Sequence, residues 1–336
     1  MRERIGYRAW RRRSSQLAVL SVSLLWRVAS LPLFAQAVPP PAGKTGDAAS
    51  LAKAERLLGE RNFPAAASAY AEANERAGGH CGECLLGQAR AKLGLGDLDA
   101  GIAAAQEALA ALAGDPLQGL AHQYLGDLLL QRAGECTPPR CGPAAMADLT
   151  AAGEAYEQAL ASGSADHAVV LLGLARSRFR RSLPAQAAAA ASEALAAAGT
   201  GPVEEPARML LCRARAAADP AGARLSAGKG NPPEIYHLKG SQVTRPVKIS
   251  TPAPVYTEDA RKLRITGPVI LQVIIDQEGC VTNPYVRKGL TADLDRAALS
   301  AVANWVFAPA TLGGKPVPVY YTLTINFEVD FRSLQP

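Results

Sequence analysis

Twice in this 336-residue chain the same pattern of small and bulky positions recurs: Phe63, Ala66, Tyr70 and Ala73, then Leu149, Ala152, Tyr156 and Ala159. Steps of three and four place each set on a single helix face. On such a face the alanines let a neighbouring helix approach closely, and the large side chains fill the groove between them. Further units follow the same plan. LLGQARAKLGLGDLDAGIAAAQEALA reads as a helix, a turn at Gly96-Asp97 and a second helix with Ala108 at the small position. AHQYLGDLLLQ opens a third unit, and LLGLARSRFRRSLPAQAAAAASEALA forms a fourth. Helical hairpins repeated in tandem cannot bury their apolar faces singly, so this stretch must fold as a stack. A composition 49% hydrophobic but only 5% aromatic suits close-packed, alanine-rich helices.

Residues 48–226 resemble tetratricopeptide repeats on these motifs. In the third unit the interval from Gly126 to Tyr156 is 14 residues longer than the family spacing, and the excess contains GECTPPRCGP. The resemblance implies a concave face that holds a protein partner, and a scaffold with no chemistry of its own.

The formal charge of +6 invites a nucleic-acid reading until it is located. Residues 1–37 hold seven arginines against the single acid Glu3, leaving 29 basic and 29 acidic residues in the remainder. A chain balanced after residue 37 offers no phosphate-binding field, so nucleic acid is excluded as a partner. The same 37 residues carry the parts of an export signal: an Arg-rich start, the apolar run LAVLSVSLLW, and small residues at Ala35 and Ala37. Cleavage is expected after Ala37, followed by a flexible leader over 38–47 and a periplasmic location. The alternative is an uncleaved anchor in the inner membrane, although Arg27 leaves only about ten clean apolar residues, half of a span.

After a Gly- and Pro-containing linker over 227–245 the period changes from helical to alternating. Val269, Leu271, Val273 and Ile275 share one face of a strand, Val281–Lys288 reads as a second, and Leu294, Ala298, Ala301, Val302 and Trp305 form a helical stripe ended by Phe307-Ala-Pro309. The expected core of this domain, 246–331, is Val269, Leu271, Val273, Leu294, Ala298, Trp305 and Phe307, with a tail over 332–336. Its last strand alternates without a break: Val319, Tyr321, Leu323, Ile325, Phe327 and Val329 against Tyr320, Thr322, Thr324, Asn326, Glu328 and Asp330. Between Val319 and Phe331 no Pro, Lys or Arg blunts it. Such an edge accepts a peptide, pairs with a second copy as a homodimer, or is covered by its own chain through the RPVKIST segment.

Pro254-x-Tyr256-x3-Ala260, Gly267-x-Val269, Asp276-x2-Gly279-x-Val281, Leu294-Asp295-x2-Ala298, Trp305-x-Phe307-x-Pro309 and Gly314-x2-Val317 resemble, in order and spacing, the C-terminal domain of the TonB family. The resemblance implies a small α+β domain, a three-stranded antiparallel sheet with helices on one side. It implies a role in transmembrane transport and energy transduction, in which Val319 to Phe327 bind an extended peptide of an outer-membrane TonB-dependent transporter by strand addition. It further implies a partnership with an inner-membrane ExbB/ExbD-like complex. For that partnership residues 17–35 offer no histidine and are broken by Arg27, and helical repeats stand where the family has a long Pro-rich spacer.

No enzyme is expected. The four histidines (80, 122, 167 and 237) are scattered, no metal or cofactor motif is present, and phosphate loops and dinucleotide fingerprints are missing. His80-Cys81-Gly-Glu-Cys84 could be a redox centre, half a zinc site, a haem attachment or a structural staple. Haem attachment needs a histidine after the second cysteine, and Leu85 stands there. Local pairing of Cys81 with Cys84 and of Cys136 with Cys141 is expected, because residues a turn apart lie within bridging distance. Cys212 reads as a buried small hydrophobe and Cys280 as an exposed, free thiol in a turn. Two alternatives to peptide capture stay open: a structural adaptor that dimerises through its edge strand, and a thiol–disulfide oxidoreductase using CGEC.

Overall fold

The computed structural model describes residues 48–163, 165–219, 234–238 and 242–328. The export segment with Ala37, the leader 38–47, most of the linker and residues 329–336 lie outside the described residues. An all-α repeat array leads into a small α+β domain.

The array consists of α1 (Ala48–Gly59), α2 (Phe63–Arg76), α3 (Gly82–Leu95), α4 (Leu98–Ala111), α5 (Gln118–Arg132), α6 (Pro143–Ser162), α7 (His167–Arg180), α8 (Pro184–Ala198) and α9 (Glu204–Ala218). Each helix packs on the next, and the odd-numbered ones also touch one another in sequence, which makes them one wall of the stack. Local chemistry sets the boundaries. The Asn62 side chain accepts from the Ala65 amide ahead of a proline in the first turn, and Asp166 accepts from the amides of Ala168 and Val169. Gly96 and Gly163 take the left-handed conformation that ends α3 and α6.

Tyr70 and Tyr156, both fully buried, are the wedges between hairpins. Each ring occupies the space that a glycine leaves open. A Cβ on Gly87 would stand 2.3 Å from the Tyr70 ring, and one on Gly173 would stand 2.4 Å from the Tyr156 ring. Their hydroxyls donate to Glu55 at 2.5 Å and to Asp127 at 2.6 Å. A shift of 86 positions carries Tyr70, Gly87 and Arg90 onto Tyr156, Gly173 and Arg176, whereas Glu55 and Asp127 are only 72 apart. The difference is the 14-residue insertion, taken up partly by the longer connection between α5 and α6, which the Cys136–Cys141 disulfide bridges, and partly by α6 itself, 20 residues long against 14 for α2.

Gly173→Ala tests the wedge. Alanine in a helix interior ordinarily gains about 1 kcal/mol over glycine. Here the added methyl meets a fully buried ring, and overpacking of this kind costs about 1–3 kcal/mol. Urea unfolding of Gly173→Ala is expected to show a net loss, with Gly59→Ala, whose Cβ meets nothing within 4 Å, neutral or stabilising. A stabilised Gly173→Ala would remove the wedge.

The second domain contains β1 (Tyr236–His237), β2 (Val247–Ser250), α10 (Glu258–Lys262), β3 (Gly267–Ile275), β4 (Val281–Lys288), α11 (Ala292–Val302), β5 (Val306–Ala308), β6 (Thr311–Leu312), β7 (Lys315–Pro316) and β8 (Val319–Phe327). Its sheet has the order β1-β8-β3-β4. The three long strands are antiparallel, and the two-residue β1 runs parallel to β8. Val269, Leu271, Val273, Leu294, Ala298, Trp305 and Phe307 are buried together against Leu323, Ile325 and Phe327. The Thr291 hydroxyl caps α11 by accepting from the Leu294 amide, and the Trp305 indole donates to the Pro252 carbonyl at 2.9 Å.

Three features depart from the sequence reading. α11 stops at Val302, not at Phe307-Ala-Pro309, because Asn304 takes the Ser300 carbonyl and Val306–Ala308 pairs as β5 with β2. RPVKIST therefore lies on β5 and leaves β8 alone. Cys212 and Cys280 are bonded to each other, and both are only 2% exposed. The expected free, exposed Cys280 is overturned because the 276–280 turn docks on α9.

Candidate functional site

β8 and β4 flank β3, and their outer edges differ in kind. β4 carries Pro284, a left-handed Asn283, and two breaks in its register with β3. A bulged, proline-bearing edge cannot template another strand. β8 pairs with β3 through nine consecutive residues without a break, from Val319↔Ile275 to Phe327↔Gly267.

One hydrogen bond sets which backbone groups of β8 face outward. The Tyr236 amide donates to the Pro318 carbonyl at 2.9 Å, so the carbonyl of residue 318 points away from β3. In an extended strand the N–H and C=O of one residue share a side, and the side alternates along the chain. Residues 320, 322, 324 and 326 therefore turn their backbone groups to the outer edge, while 319, 321, 323, 325 and 327 bond β3. Tyr236–His237 covers the start of that edge, with the His237 ring stacked on Tyr320 at 4.8 Å. Among the described residues none pairs with the outward backbone groups of Thr322, Thr324 and Asn326, and all three side chains are exposed.

The face beneath the edge is apolar. Leu323, Ile325 and Phe327 are buried in the domain core, and the Tyr256 ring lies 5.8 Å from Phe327 with its hydroxyl bonded to the Ile265 carbonyl. Of the residues expected to bind a peptide, β8 thus divides them: Val319, Tyr321, Leu323, Ile325 and Phe327 hold the strand to the core, and Tyr320, Thr322, Thr324 and Asn326 present the edge. The segment Tyr236–His237, within the stretch read as a linker, was missed. A two-residue strand leaves no periodicity to detect.

A second cluster joins the domain to α9. Arg208 donates to the Glu278 carbonyl, and Arg215 donates to Asp276 at 2.9 Å and to Glu278 at 3.3 Å. The Asp276 carboxylate also accepts from the amides of Glu278 and Cys280. Burial raises its pKa to about 6, the neighbouring Glu278 adds to the rise, and Arg215 with the two amides only partly offsets them. Because the folded state holds this proton more tightly than an ordinary aspartate does, the associated stability is complete below about pH 4 and is lost as pH rises through about 6. Asp276→Asn keeps an oxygen to accept from both amides and removes the titration. Urea unfolding at pH 4, 5, 6 and 7 is expected to show a decline for the native chain that the variant lacks. Equal slopes for both would refute the assignment.

Cys81 and Cys84 strap the first turn of α3, with the Cys81 sulfur accepting from the Cys84 amide. The six cysteines form three disulfides. Among the described residues no three His, Cys, Asp or Glu side chains gather as a metal site, and no helix is long and apolar enough to cross a membrane. The signal that could have exposed the third bridge is parity: six cysteines with two local pairs leave Cys212 and Cys280 for each other.

Residues 252–329 match the family described as Gram-negative bacterial TonB protein C-terminal. Protein TonB of Xanthomonas campestris pv. campestris (strain B100) is 36% identical over 78 residues, 23% of this chain and 35% of that protein. Protein TonB of Vibrio cholerae serotype O1 is 30% identical over 95 residues, 26% of this chain and 39% of that protein. The chain thus spans little more than a third of the length of these relatives, and the likeness is confined to the C-terminal part.

Proposed function

From the premise that residues 252–329 form a TonB C-terminal domain, we propose that this domain captures an extended peptide of an outer-membrane TonB-dependent transporter by adding it as a strand beside β8. The protein acts without catalysis, in energy-dependent transport across the envelope. The observation that supports this most is the unbroken nine-residue register of β8, whose outward groups at Thr322, Thr324 and Asn326 have no partner among the described residues. Main-chain bonds along such an edge supply affinity, and alternate side chains supply selectivity. The repeat array is a scaffold for a protein partner on the wall of odd-numbered helices. Three disulfides suit an oxidising compartment such as the periplasm. Cys81–Cys84 is a staple in this reading: it straps the first turn of α3, with the Cys81 sulfur accepting from the Cys84 amide.

Titration calorimetry of the full chain against synthetic extended peptides from transporter N-termini tests the reading. Saturable binding of one peptide per chain is expected, and it should vanish when alternate peptide amides are N-methylated. Binding indifferent to N-methylation would place recognition elsewhere. The same edge could instead join two copies, and sedimentation across a range of concentrations separates the cases: a monomer throughout leaves the edge for a peptide.

A further inference from the structure

The repeat array ends on α9, and no further helix of the stack follows it among the described residues. A repeat array needs its terminal apolar face covered, usually by a polar-backed capping helix. Here the cover comes from the other domain. Cys280 and Val306, both buried, share one apolar cluster with Ala207, Leu210, Leu211 and Cys212 of α9, and Ile249 of β2 packs against it.

The fit is a two-sided one. Arg208, Cys212 and Arg215 follow at steps of four and three, so they share one stripe of α9. They meet Glu278, Cys280 and Asp276 in the turn between β3 and β4. Gly279 lets the turn lie flat, at a φ of +86° that suits glycine, where a Cβ would stand 1.8 Å from the Phe307 carbonyl oxygen. The Phe307 amide donates to the Gly279 carbonyl, tying the turn to β5.

The geometry points to the C-terminal domain as the terminal cap of the repeat array, held there by a redox clamp at Cys212–Cys280. While the bridge is oxidised, it pins the β3–β4 turn to α9, and the joint opens only transiently. A dithiol reductant, protein or small molecule, opens the clamp by exchange. One reductant thiolate attacks a bridge sulfur and frees the other, and the second reductant thiolate resolves the mixed disulfide. The reductant leaves as a disulfide and the protein gains two electrons and two protons as two thiols. The domain then stays on α9 only through the arginine contacts and the small apolar patch, and it moves as a tethered module. Both sulfurs are enclosed, so exchange waits on opening of the joint. This inference does not depend on what β8 binds.

Small-angle scattering and amide exchange on the full chain test it, with the Cys212→Ser/Cys280→Ser double variant beside the oxidised native protein. The variant is expected to scatter with a larger radius of gyration, and its α9 amides from 208 to 215 should exchange at least about tenfold faster. Native protein treated with dithiothreitol should reproduce the variant. Cys136→Ser/Cys141→Ser, which opens the bridge in the α5–α6 connection, should leave both readings native. If the serine variant fails to fold, Arg208→Ala/Arg215→Ala with the bridge intact carries the test, and it should keep the native scattering curve. Unchanged scattering and exchange in the serine variant, or an arginine variant that opens despite its bridge, would overturn the clamp.

Discussion

Thr324→Pro is expected to weaken peptide capture sharply while leaving the C-terminal domain folded. Residue 324 lies on the outward series fixed by the Tyr236 to Pro318 bond, so its amide takes no part in the ladder with β3. Proline is tolerated in an edge strand where its missing N–H faces solvent, and there it removes one donor and sets a ring against an incoming strand. The affinity loss should be roughly 5- to 150-fold, because a buried backbone acceptor of the peptide is left unmet at about 1–3 kcal/mol. Leu323→Pro, one residue away, is expected to do the opposite. Its amide faces β3 and its side chain is 3% exposed, so that variant should lose the domain itself. Peptide titration and thermal unfolding of the pair separate an edge effect from a folding effect. A Thr324→Pro chain that still binds at native affinity would show that the peptide does not add at β8.

The second large effect is on stability. Cys212→Ser/Cys280→Ser is expected to cost about 4 kcal/mol, because a bridge spanning 68 residues removes far more unfolded-chain entropy than a local one. The same relation gives about 2 kcal/mol for the separation of three residues between Cys81 and Cys84. Urea unfolding read through amide exchange in β3 should therefore rank the 212–280 variant well below the 81–84 variant. Equal losses, or a larger loss for the short loop, would contradict the ranking. The chain-entropy argument treats the native state as unchanged, and the buried sulfurs add a further loss of apolar contact in the same direction.

What the sequence made legible follows the strength of each local signal. The alternation that begins at Val319 is long and uninterrupted, and Val319–Phe327 is a strand with Val319, Leu323, Ile325 and Phe327 inward, while its continuation through Val329 and Asp330 lies outside the described residues. The Phe63 and Leu149 patterns mark α2 and α6, where both tyrosines are buried. The LLGxAR motif at 85–90 and 171–176 carried the further clue that Gly87 and Gly173 seat those rings, legible once the repeats are laid over each other with the insertion removed. The joint was not legible in that way. Arg208, Arg215 and Cys212 sit on a helix that looks like any amphipathic end helix, and Asp276-Gln-Glu-Gly-Cys280 looks like any solvated turn. Only their distance in space, 68 positions apart in the chain for the two sulfurs, reveals that they are partners. β1 escaped for the opposite reason, since two residues are too few to carry a period.

If a peptide adds at the outer edge of β8, amide exchange at three positions registers it. In the free protein the amides of Thr322, Thr324 and Asn326 should exchange rapidly, and those of Tyr321, Leu323 and Ile325 slowly. A saturating transporter-derived peptide should slow the first set and leave the second unchanged. Saturable binding with Thr322, Thr324 and Asn326 still exchanging at their free rates would place the peptide elsewhere than on β8.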